Sequence, residues 1–169
     1  MAHAAEHCRR QSWPMFVKTH AITDHPVRES IAALQDGSET WFPHLVQSIG
    51  ERLDTHLAEV GFELAGIPLH KKVVVELGPV RSAADWLRVG VTWKPASGAA
   101  LFPTMEGEFH LEPHTHRETK VTVSGSYEPP LGIAGRGLDA VVMHRAAEAT
   151  FEDLARTIAA ELDRRLAPR

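Results

Sequence analysis

Val121-Thr122-Val123-Ser124-Gly125-Ser126-Tyr127 runs into Glu128-Pro129-Pro130-Leu131-Gly132, and no further proline occurs until Pro168. The first seven residues alternate with period two, as a strand with one buried face does. The double proline sets a rigid turn. The proline-free remainder predicts a helix well beyond the average of about eleven residues. A helix of that length after a strand needs a sheet to lie on. The ending therefore predicts a curved antiparallel sheet closed over a C-terminal helix, with space between the layers for a ligand.

The preceding segments supply that sheet. Lys71–Val80 carries Val73, Val75 and Leu77 on one face, and Trp86–Lys94 carries Leu87, Val89, Val91 and Trp93. Thr104–Glu112 sets Met105, Gly107, Phe109 and Leu111 against Thr104, Glu106, Glu108 and His110. Arg117–Tyr127 sets Thr119, Val121, Val123, Gly125 and Tyr127 against Lys120, Thr122, Ser124 and Ser126. Such alternation puts one face on a core and one in water, as an antiparallel sheet permits. Arg81–Asp85, Pro95–Ala100 and Pro113–His116 read as the hairpin connections.

Upstream, Met15–Ile22 reads as a first strand, and Pro26 suits the first turn of a helix whose stripe is Val27, Ile31 and Leu34, ended by Gly37. Trp41-Phe42-Pro43 is an aromatic turn. Leu45, Ile49, Leu53, Leu57 and Val60 predict a second helix capped by Gly61. Phe62–His70 reads as a short strand or an irregular segment. In the final helix Ala140, His144, Ala147, Phe151, Leu154, Ile158 and Leu162 share one side, while Leu138, Val142, Ala146 and Ala149 make the opposite side of its first half apolar. That half needs a second cover, from the early helices or from a second subunit in a homodimer. Arg164, Arg165 and Arg169 complement the negative end of the helix dipole.

The chain of 169 residues, 43% hydrophobic and 24% charged, fits one α+β domain over 15–167 behind a disordered tail over 1–14. A formal net charge of −4 and the absence of a basic cluster argue against nucleic acid. Cys8 is the only cysteine, so no internal disulfide can form. No apolar run reaches the length of a membrane span, and Met1–Ser12 lacks the apolar centre of a signal peptide. The expected location is cytoplasmic.

The succession of strand, two helices, antiparallel strands and long terminal helix resembles the START-like, Bet v 1-type helix-grip superfamily, in particular its polyketide cyclase/dehydrase-type (SRPBCC) branch. The resemblance is carried by Leu101-Phe102-Pro103-Thr104-Met105-Glu106-Gly107, by Gly125-Ser126-Tyr127-Glu128-Pro129-Pro130-Leu131-Gly132, and by Gly137-Leu138-Asp139 through His144-Arg145-Ala146-Ala147-Glu148-Ala149-Thr150. The Trp41-Phe42-Pro43 turn also fits. It implies a hydrophobic pocket between sheet and final helix, in proteins that include lipid and hormone carriers, cochaperones and polyketide enzymes. Fold does not select among these.

Parity directs Trp93, Met105, Phe109, Tyr127, His144 and Phe151 toward the space between the layers, as ligand-binding candidates or as simple core. His144 could orient a ligand carbonyl or act as acid or base, or be satisfied at the seam by a backbone carbonyl. Tyr127 could bond a ligand through its hydroxyl or pack its ring against turn and helix. Glu148 reads as a solvated flank. His110, His114 and His116, with Glu112 nearby, read as surface histidines and not as a metal site. Phosphate-loop, dinucleotide, nucleophile-elbow and zinc-protease motifs are absent. No metal or organic cofactor is expected. Three functional classes follow: a binding module for a small hydrophobic molecule, lipid or polyketide-like; a cyclase/dehydrase-type enzyme using His144 or Tyr127; and a dimerising scaffold with a closed core.

Overall fold

Alternation is realised in β1 (Met15–Thr23), β4 (Val73–Ser82), β5 (Leu87–Pro95), β6 (Met105–Pro113) and β7 (Thr119–Tyr127). A nine-residue α1 (Val27–Gln35) follows β1, and the chain ends in a 27-residue α2 (Ala140–Leu166). Glu63–Leu64 (β2) and Ile67–Pro68 (β3) pair antiparallel as a separate two-stranded sheet, so the described residues of the Phe62–His70 stretch are short strands. The structure, a computed structural model, describes residues 14–36, 63–64, 67–68, 73–95, 104–127 and 140–167. The expected helix over 45–60, the Trp41-Phe42-Pro43 turn, the tail before Pro14, the Pro129-Pro130 turn, Leu138 and Arg169 lie outside the described residues. So do the side chains of Val73, Val75, Ala140, Val142 and Ala146.

The five long strands form one antiparallel sheet in the order β1-β7-β6-β5-β4, so the first strand closes against the last. Register stacks the inward residues into rows across the sheet, with neighbouring strands roughly 5 Å apart. Trp93, Met105, Tyr127 and Met15 make one row at the end where α2 begins. Val91, Gly107, Gly125 and Val17 make the next, then Val89, Phe109, Val123 and Thr19, then Leu87, Leu111, Val121 and Ala21. Over these rows lies the stripe of α2, with Ala147, Phe151, Leu154, Ala155, Ile158, Ala159 and Leu162 buried. The helix packs chiefly on β1 and β7, and α1 covers its far end.

Several boundaries differ from the sequence expectation for local reasons. Pro26 is the N-cap of α1 and not its first helical residue; its carbonyl accepts from the Ser30 amide at 3.0 Å. Between Leu77 and Val80 the register shifts, so Gly78 and Pro79 face Gly90 alone and the strand continues to Ser82. That is a β-bulge on an edge strand, a place that tolerates proline. Pro113 completes β6, and the turn spans 114–118, where the Thr115 hydroxyl accepts from the amides of Arg117 and Glu118. The last strand therefore starts at Thr119, two residues later than its alternation suggests.

A set of polar groups ties down the far end of the sandwich. Thr23 donates through its hydroxyl to Asp163 on α2, and His25 Nε2 lies 3.6 Å from the same carboxylate. The buried Thr119 hydroxyl donates to the His25 carbonyl at 2.6 Å, so the buried Ser30 hydroxyl must be the donor in its 3.1 Å contact with Thr119. Arg165 does more than complement its own helix dipole. Its Nη1 reaches the carbonyls of Ala33 at 3.2 Å and Asp36 at 2.9 Å, capping α1 from 129 residues away.

Two predictions follow from these contacts. A Cβ at Gly125 would sit 2.7 Å from the Glu106 carbonyl oxygen and 2.9 Å from both Gly107 Cα and Phe151 Cζ. Gly125→Ala is expected to lower unfolding stability by about 1–3 kcal/mol in urea titration; an unchanged midpoint would contradict this packing. Hydrogen bonding from Arg164, and secondarily from Arg165, holds the Glu161 carboxyl below its ordinary value against the opposing effect of burial. A depressed carboxylate stabilises above its unfolded value and loses that contribution as pH falls through the folded one. Glu161→Gln should therefore cost about 1 kcal/mol at neutral pH, with the difference from wild type vanishing in acid.

Candidate functional site

The inner face of the sheet changes character along its length. Toward the Thr23–Asp163 end it is mainly aliphatic, with Phe109 the one ring in its rows, whereas the row beside the start of α2 holds an indole, a phenol and two thioethers. The glycine row lies between them, and it exists for a steric reason. With no side chain at Gly107 or Gly125, the rings of Trp93 and Phe151 can lie across the gap, stacked with centroids 5.3 Å apart and planes 25° from parallel. Trp93 Cζ3 lies 3.3 Å from where a Cβ of Gly107 would be. Such a pair adds about 0.5–1.5 kcal/mol beyond its buried area.

The structure brings five of the six expected residues into the buried seam: Trp93, Met105, Phe109, Tyr127 and Phe151. Phe109 stands one row deeper than the glycines, as a floor beneath the aromatic pair. His144 is set apart from these, with its side chain 32% exposed at the rim of the seam. Its Nε2 lies 3.4 Å from Glu148 one turn on, while Nδ1 is buried and has no partner among the described residues. Glu148, 57% exposed, is the solvated flank the sequence suggests, and from there its carboxylate lies beside the histidine. The i, i+4 spacing carries that pairing, a signal already present in the sequence.

Polar groups at this end are few and unevenly satisfied. Trp93 is 1% exposed, and its Nε1–H is buried without an acceptor among the described residues. A donor in that position costs about 1–3 kcal/mol. Tyr127 donates to the thioether of Met15 at 3.4 Å, a weak acceptor that a better one could replace. Burial, and then the charge of Glu148, push the Tyr127 phenol above its ordinary value. It therefore remains a protonated donor at neutral pH.

The histidine-rich hairpin does not join this site. His110 points to the outer face of the sheet, its Nδ1 3.7 Å from Glu112, which also pairs with Lys120 at 3.2 Å. Burial lowers its pKa more than Glu112 raises it. His114 and His116 are exposed in the turn. Among the described residues, no group of three metal-ligating side chains converges. Nor is any helix there long and apolar enough to cross a membrane.

A five-stranded antiparallel sheet holding a long terminal helix on its inner face, with β1 joined to β7, decides the architecture. The fold is a helix grip. It is the architecture of the START-like, Bet v 1-type superfamily that the later half of the sequence resembles. No protein-family model matches the chain, and no curated protein does. Among solved structures, a conserved protein from Geobacillus kaustophilus is 13% identical, with 87% of this chain and 94% of that chain covered and a TM-score of 0.48. Ara h 8.0201 is 10% identical over 89% of this chain and 98% of its own, with a TM-score of 0.47. The Zhui aromatase/cyclase from Streptomyces sp. R1128 is 14% identical over 91% and 96%, with a TM-score of 0.42. Likeness of this degree assigns neither family nor activity, and the chemistry of the helix-grip seam has to come from this chain's own residues.

Tyr127 is the only tyrosine, so its ionisation can be followed alone by ultraviolet absorbance. The folded protein should titrate above the ordinary 10.0, and Glu148→Gln should bring the midpoint down only part of the way, since burial is the larger cause. A wild-type midpoint at the ordinary value would remove the phenol from the seam.

Proposed function

We propose that the protein binds a small, largely apolar molecule at the seam between the sheet and the first half of α2. Trp93, Met105, Tyr127 and Phe151 would contact it, Phe109 would form the floor, and His144 would stand at the rim. The observation carrying this is the segregation of side chains along the seam. Mainly aliphatic rows supply the core, while indole, phenol and thioethers gather in one row, and the small Ala147 is buried one turn before Phe151. Aromatic rings and methionine are polarizable, and methionine adapts its shape to an occupant as branched aliphatic residues cannot. An apolar ligand would gain roughly 25 cal/mol per Å² removed from water, less the cost of association.

One contact favours a second reading, an enzyme of the cyclase/dehydrase type. Glu148 lies within 3.4 Å of His144, so it could orient the imidazole while His144 moves a proton on a bound molecule. Tyr127, held protonated, could then only donate. This reading requires the same binding site and adds a step to it.

Ala147 is the position at which to test occupancy, because it is buried one turn before Phe151. Ala147→Trp should weaken binding of a hydrophobic fluorescent probe at least about tenfold, with circular dichroism unchanged. Ala147→Met should weaken it less. Equal binding by folded variants and wild type would place the probe elsewhere. Failure of wild type to bind any such probe would favour a scaffold with a closed core.

A further inference from the structure

We infer that the occupant of the seam is an uncharged molecule carrying a carbonyl-type acceptor, anchored by the Trp93 indole N–H and selected against carboxylates by Glu148. This rests on the binding site proposed above and adds its chemical selectivity. Of the buried side-chain polar atoms without a partner among the described residues, Trp93 Nε1 and His144 Nδ1 are both at this end of the seam. An indole nitrogen is a donor only. No rearrangement of its own proton can satisfy it, so it requires an acceptor from outside the described residues.

Tyr127 supplies a second donor in the same cross-strand row, one strand beyond Met105. Its present acceptor is the Met15 sulfur, which a carbonyl oxygen would outcompete. The row thus offers two donors, two strands apart and set among apolar side chains, a pattern suited to acceptor oxygens on an otherwise apolar body. A carboxylate would also accept from both, and charge separates the two cases. Among the described residues Glu148 is the charged group that acts on Tyr127, and it already occupies His144 as a partner. A carboxylate brought among these buried side chains would be desolvated beside the Glu148 charge, with no unpaired cation facing it among the described residues.

Three probes of matched size distinguish the outcomes: 2-acetylnaphthalene, its hydrocarbon isostere 2-isopropenylnaphthalene, and 2-naphthoate. Each would be titrated against the full-length protein by displacement of a hydrophobic fluorophore. The ketone should displace at a concentration at least about fivefold lower than the isostere, despite being the less hydrophobic of the two. 2-Naphthoate should be at least about tenfold weaker than the ketone and should recover in Glu148→Gln. Replacing Trp93 by benzothienylalanine, which keeps the ring system and puts sulfur in place of N–H, should abolish the preference for the ketone. If that variant does not fold, the wild-type comparison of ketone and isostere decides alone. An isostere that binds as well as the ketone, or a carboxylate that matches it, overturns the selectivity while leaving the binding site standing. If none of the three binds, the binding site falls as well.

Discussion

Two glycines that face each other across the centre of the sheet set how closely the helix can approach it. At Gly107 and Gly125 the inner face has no side chains, and backbone atoms of the neighbouring strand occupy the space a Cβ would need. The depression is filled from both sides, by Trp93 from β5 and by Phe151 from α2. Larger residues there would lift the helix off the sheet and separate the aromatic pair. Strand glycines ordinarily weaken a sheet; here the loss is offset by the burial of two large rings.

This arrangement divides the seam into two regions with different physics. On one side, aliphatic rows and the Thr23–Asp163, Thr119–His25 and Arg165–Ala33 contacts fix the end of α2 to β1, β7 and α1. These contacts join segments far apart in the sequence. On the other side stand soft, polarizable side chains, a buried indole donor without an acceptor among the described residues, a phenol bonded to a thioether, and a half-exposed histidine. Soft, adaptable side chains set beside a rigid anchor are what a binding site would present.

Much of this layout is legible in the sequence. Period-two parity places Trp93, Met105, Phe109 and Tyr127 inward, and the 3.6-residue stripe does the same for Ala147, Phe151 and Leu154. The contacts between distant segments are not legible. Gly107 and Gly125 each read as a weak point in a strand, and only the register makes them a facing pair. Thr23 and Asp163 stand 140 residues apart, and Arg165 reads as a helix-dipole partner until α1 is packed beneath it. The orphan donor of Trp93 is likewise invisible, because an unmet hydrogen bond is a property of surroundings and not of residue type. The Glu148 contact is the exception: its i, i+4 spacing from His144 is written in the sequence, though a flank and a partner share that spacing.

The central claim is that the end of the seam bearing Trp93 is where a ligand sits. The most direct measurement is a titration of ¹⁵N-labelled protein with 1-naphthol, following the indole N–H resonances by nuclear magnetic resonance. The chain has four tryptophans, and loss of one peak in Trp93→Phe identifies the resonance of interest. The account predicts a saturable downfield shift of the Trp93 indole proton, as a donor without a partner gains an acceptor, with smaller changes at the other three. A Trp93 resonance that stays fixed while the ligand saturates the protein would contradict it.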